Sequence, residues 1–139
     1  MQRMLNILLV SLTLLLACAG GAAAAPPAFP ATYYGVIDSA NVGPDMEVVA
    51  MVDMIACGSA KVHEHPPYGY VYVLDVLPDD PSTLWRDGGL DGDIVRFSLV
   101  SPYGDMYPLV QSAIWEGGAS QKVNLSDRVA VVLPLIVTQ

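Results

Sequence analysis

The chain is short of the residues on which most small exported domains and most enzymes rely. Cysteine occurs twice in 139 residues. Cys18 falls in an apolar leader, so Cys57 stands alone and the rest of the chain has no internal disulfide. A hydrophobic core, not a covalent staple, must hold the domain together. Basic residues are also few, with six Lys and Arg against 14 Asp and Glu, a net charge of −8. Without Arg3 in the leader the balance is 14 against 5, or −9. A chain this acidic is repelled by nucleic acid and by anionic lipid, so neither is an expected partner. Catalytic motifs are missing as well. There is no nucleophile-elbow glycine pattern, no spaced Ser, His and Asp set and no phosphate loop, so no catalytic residue is assigned and an enzyme is not expected. Beyond residue 25 no helical period appears, which leaves an all-β chain.

What is present begins with an address. Arg3 gives a short positive start, Leu5 to Ala17 is largely apolar, and Ala23, Ala24 and Ala25 are small residues suited to cleavage before Pro26. This is the layout of a secretory signal peptide over residues 1–25, and its apolar part is shorter than the ~20 residues of a membrane-spanning helix. Leu15, Leu16, Ala17 and Cys18 also resemble a lipobox, the alternative in which Cys18 is lipidated and the protein is anchored. Either route places the chain outside the cell or at its surface. Cleavage after Ala25 leaves 114 residues, enough for one domain with a core and too few for two.

Residues 26–31, opening Pro26, Pro27, Ala28, Phe29, Pro30, form a stiff extended lead-in. A domain is expected over 32–126. Its organising stretch is Tyr68 to Val76, in which Tyr68, Tyr70, Tyr72, Leu74 and Val76 share one side and Gly69, Val71, Val73 and Asp75 the other. Apolar on both faces, it reads as a central strand that is either covered twice or keeps its Tyr face for a ligand. Thr32 to Asp38 is a strand with Gly35 at a bulge or close approach. Met46 to Met54 alternates with one buried face, Val48, Ala50 and Val52 among it. Ile55 to Val62 follows, after a tight reversal. Val95, Phe97 and Leu99 face in while Arg96 and Ser98 face out. Met106 to Trp115 is a strand interrupted by Pro108, and Gln121 to Leu125 a short alternating one. Seven or eight such strands, divided by Gly, Pro and Asp clusters, predict a single antiparallel β-sandwich, Ig-like or transthyretin-like in its connections. The apolar tail of 127–139, centred on Val129 to Val137, reads as a final edge strand; the alternative is a sticky strand that self-associates by completing a neighbouring sheet.

The succession Tyr33 to Ile37, Gly43 to Ala50, Cys57 to Ser59 and Tyr68 to Val76, then Asp79 to Pro81 and Asp87 to Phe97, resembles the β-sandwich modules of secreted prokaryotic cell-surface and S-layer-type proteins. These are broadly similar to transthyretin-like and carboxypeptidase-regulatory-like sandwiches. The resemblance covers about residues 29 to 125 and is most specific in the Asp-Asp-Pro loop leading into Gly92 to Phe97. It implies a structural or adhesive module with no catalytic residues. A single module, the His63-Glu64-His65 insertion and the apolar tail depart from the pattern.

Three constellations are candidates for ligand binding. Pro78 to Asp93 is a connection far longer than the usual ~4–6 residues, and Asp79, Asp80, Asp87, Asp91 and Asp93 crowd it. Hard carboxylate oxygens make calcium the cofactor to expect if one is bound, although the spacing fails the EF-hand pattern. His63 and His65, two apart, would share a face of a strand and could take zinc or copper. Trp85, a loop aromatic, with Tyr68, Tyr70 and Tyr72, could form a stacking platform for sugar rings. Trp115 reads instead as core, and Cys57 as a small buried hydrophobe. The expected function is a non-enzymatic structural or interaction module. Its partners would be other extracellular proteins or cell-surface glycans.

Overall fold

The computed structural model describes residues 29–128. The leader, with the expected signal peptide and lipobox, and the tail from 129, with the expected edge or sticky strand, lie outside the described residues. Within these bounds the chain is an all-β sandwich of two packed sheets. In chain order the strands are β1 (Ala31–Asp38), β2 (Glu47–Val52), β3 (Ile55–Lys61), β4 (His63–Glu64), β5 (Tyr70–Val76), β6 (Ile94–Val100), β7 (Met106–Ile114), β8 (Ser120–Lys122) and β9 (Leu125–Ser126). Among the described residues no helix is long and apolar enough to cross a membrane.

One sheet runs β4-β5-β1-β8, with β9 also on β1; the other runs β3-β2-β6-β7. Alternation places the core as the pattern predicts. Tyr33 and Ile37 of β1, Val48, Ala50 and Val52 of β2, Tyr72, Leu74 and Val76 of β5, and Val95, Phe97 and Leu99 of β6 are all buried between the sheets. Tyr33 and Tyr72 meet Phe97 across the sandwich, with ring centroids 5.5 and 6.4 Å apart. Such aromatic contacts add ~0.5–1.5 kcal/mol each beyond the area they bury. Both phenols find partners at the margins of the core. The Tyr33 hydroxyl donates to the Ile114 carbonyl at 3.1 Å, and the Tyr72 hydroxyl to the Val123 carbonyl at 2.7 Å. Burial pushes the Tyr33 phenol up to about 12 and raises that of Tyr72 as well.

Several details differ from the expectation. The sandwich is not wholly antiparallel, because β8 and β9 both lie parallel to β1. They are two short strands where one was expected; between them Gly35 passes so close that a Cβ there would stand 2.4 Å from the Val123 carbonyl oxygen. Pro108 does not interrupt β7, since an edge strand tolerates a missing N–H. The pairing does shift immediately after it, where Leu109, Val110 and Gln111 of β7 stand against the single Phe97 of β6, and Ser98, expected to face out, is buried beside the shift. The Tyr face of β5 is covered rather than kept for a ligand, and the open face is the other one, where Val73 is exposed.

Register also sorts the loops into two ends. Val52 pairs with both Ile55 and Val95, Ile94 with Ile114, and Ala31 with Val76. The β2–β3 turn, the long loop 77–93 and the β7–β8 connection therefore share one end. Tyr68, before β5, lies at the other.

Candidate interaction loop at one end of the sandwich

The long loop is built by its own acids. Each of the five Asp carboxylates accepts a main-chain N–H. Asp79 takes that of Asp87 at 2.9 Å and Asp87 that of Asp80 at 3.0 Å, a reciprocal pair across the loop. Asp80 also receives the N–H and hydroxyl of Ser82 at 2.9 and 2.7 Å; the Ser82 hydroxyl first, then its N–H, holds the Asp80 carboxyl below the usual carboxylate range. Asp91 takes the N–H of Gly117 at 3.0 Å and Asp93 that of Leu90 at 2.6 Å. Asp and Gly are dense here because a turn-rich chain without ladder partners must satisfy its N–H groups from side chains.

Arg86 is the single cation of the loop and its clamp. Its guanidinium donates to Asp93 and, at 2.8 Å, to Asp53 in the β2–β3 turn, while its Nε reaches the Gly88 carbonyl at 3.3 Å. The base of the loop is sealed against the sandwich by Trp115, whose indole N–H donates to the Val76 carbonyl at 3.1 Å. Gly89 lies flat on that ring: a Cβ there would stand 2.4 Å from the Trp115 side chain. Main-chain bonds from Gly89 N–H to the Leu77 carbonyl (2.9 Å) and from Asp79 N–H to the Gly89 carbonyl (3.0 Å) close the neck.

This framework leaves the tip bare. Leu84 and Trp85 are 94% and 82% exposed, although the residues on either side are hydrogen-bonded. The Thr83 hydroxyl lies within hydrogen-bond reach of the Asp80 and Trp85 carbonyls, at 2.8 and 2.7 Å, and donates to one of them at a time. Across the Arg86–Asp53 bridge sits Met54, 83% exposed. Asp53 and Met54 both adopt positive φ, 48° and 69°, the geometry of a two-residue type I′ hairpin turn. Beside them a depression of about 300 Å³ is lined by Met51, Met54 and Ile94, with Asp53, Asp93 and Arg96 in its walls.

The other expected ligand residues fall elsewhere. Tyr72 is closed inside the core, Tyr70 packs against it, and Tyr68 is exposed at the end opposite Trp85, so the four aromatics do not meet. β4 ends at Glu64, so His63 faces outward opposite Val71 while His65 belongs to the following turn, its ring edge-to-face with that of Tyr68 at a centroid distance of 5.9 Å. Among the described residues no three of His, Cys, Asp and Glu come together to hold a metal ion. Cys57 is buried, and that burial raises its thiol pKa. Sequence reading missed Arg86, Leu84 and Met54. The signal for Arg86 was its isolation among five acids; a Met in an αL turn position carries no sequence signal.

Fold and loop together define a small all-β sandwich with one structured, apolar-tipped loop. No family model matches the chain, and no curated protein or solved structure shows a significant match to it.

Proposed function

We propose that this chain is a secreted or surface-attached, non-enzymatic interaction module that meets its partner through the loop end of the sandwich. The observation that carries this reading is the contrast within residues 77–93. A loop whose five carboxylates and one guanidinium are spent on holding its shape nonetheless presents Leu84 and Trp85 to solvent. Presenting a large aromatic on a pre-ordered loop lowers the ordering cost of binding, and Trp is the residue type most enriched among binding hot spots. The signal-like leader and the resemblance to surface-protein sandwiches support an extracellular setting. The same loop supports a non-enzymatic role, since its polar groups serve architecture. A glycan is the second reading, favoured by Trp85 itself, whose open indole could stack on a sugar ring. Calcium is the weaker companion of that reading, because one oxygen of every loop carboxylate is already engaged by an N–H.

Retention of the labelled chain on the surface of the cells that export it tests the proposal. Wild type should be retained, and Leu84→Ser/Trp85→Ala should be washed off. Equal retention of the two would remove the loop tip from the interface.

A further inference from the structure

Resting on that reading, we infer that the partner of the loop end is a basic peptide segment or protein surface whose apolar side chains are interleaved with Lys or Arg. Two features of this end point there. The first is the composition of the tip. Trp85 is accompanied by Leu84 and, across the Arg86–Asp53 bridge, by Met54, three large side chains each more than four-fifths exposed. A sugar ring stacks on an indole but gains little from two flexible aliphatic neighbours. A protein surface can bury all three, and the depression beside Met54 can receive an apolar side chain in return.

The second feature is charge. Asp53, Asp79, Asp80, Asp87, Asp91, Asp93 and Glu116 lie at this end against Arg86 and Arg96, seven carboxylates to two guanidiniums and a net of −5. Asp79 and Asp80 precede the apolar tip in the loop and Asp87 follows it, and the hydrogen bonds that shape the loop engage only one oxygen of each. An acidic rim around an apolar centre is complementary to cationic groups flanking apolar ones. It steers such a partner in and repels anionic polymers.

The test uses the intact chain and three fluorescein-labelled peptides, one alternating Lys and Leu pairs, one all Lys and one alternating Glu and Leu pairs, read by anisotropy. The Lys–Leu peptide is expected to bind, more weakly as salt rises. Trp85→Ala is expected to weaken it about tenfold or more, the scale of a hot-spot residue. The all-Lys and Glu–Leu peptides should bind at least about tenfold less tightly. Trp85 is exposed, so its replacement leaves the fold intact, and emission from the buried Trp115 verifies this. Glu–Leu binding as tight as Lys–Leu would overturn the charge assignment. Lys–Leu binding unchanged by Trp85→Ala would overturn the role of the tip. Trp85-dependent binding to a neutral glycan array, with no Lys–Leu binding, would overturn this inference and leave the loop end as the interface. Indifference of peptides, glycans and cell retention alike to Trp85→Ala would overturn both.

Discussion

Replacing Arg86 by Met tests the architecture on which the loop depends. The substitution keeps most of the aliphatic stem and removes the guanidinium, so the loss is electrostatic rather than steric. Its two ion pairs are not equivalent. The Asp93 side chain is 20% exposed and that of Asp53 74%. A hydrogen bond to a largely buried charge contributes ~1.5–3 kcal/mol, whereas an exposed pair contributes ~0.2–1. Asp93 keeps the Leu90 N–H as a partner, which softens the loss. The net expectation is a destabilisation of about 2 kcal/mol, or a fall in Tm of roughly 8–16 °C for a domain of this size. Double-mutant cycles should divide it unequally, with an Arg86–Asp93 coupling at least twice that of Arg86–Asp53. High salt should erode only the smaller one. Exchange of the Gly89 amide, which lies in the neck of the loop, should quicken by up to about thirtyfold. Arg86→Met with a stability within ~0.5 kcal/mol of wild type, the range of ordinary surface substitutions, would refute the clamp.

Met54→Gly should stabilise the chain by roughly 1 kcal/mol, because a left-handed φ strains Met and not Gly and the exposed side chain buries nothing; chemical denaturation measures it, and an unchanged midpoint would show that the turn is unstrained. Tyr72→Phe should cost ~1–3 kcal/mol by leaving the Val123 carbonyl without its donor, with thermal unfolding as the readout and a neutral result pointing to a replacement donor. Asp127 is held below the usual carboxylate range, first by the Ser39 hydroxyl and then by the Ala40 N–H, against the opposing effect of its burial. Its folded pKa is depressed, so its contribution is complete above the unfolded value and disappears as pH falls through the folded one. Tm measured between neutral and strongly acidic pH should therefore fall less steeply for Asp127→Asn than for wild type; parallel curves would exclude this residue from the acid transition.

Much of the fold was legible because strand alternation is a local property. Val48, Ala50 and Val52, or Val95, Phe97 and Leu99, declare a buried face from their two-residue spacing, and Arg96 between two of them reports the other side. Buried Trp115 and Cys57 followed from residue type and position. The candidate site was legible only in outline. Length and composition marked 78–93 as unusual, and a loop Trp stood out as hard to bury. The part played by the carboxylates was not legible, because an Asp that caps a turn N–H and an Asp that awaits a cation look identical in sequence.

The chain by itself therefore determined that it is a β protein, where its longer strands lie and which of their apolar residues enter the core, since these depend on neighbours two positions away. Tertiary structure alone decided the rest. It set β8 and β9 parallel to β1 and joined Arg86 to Asp53 across 33 positions. Those choices rest on distances between segments far apart in sequence, which no local pattern encodes.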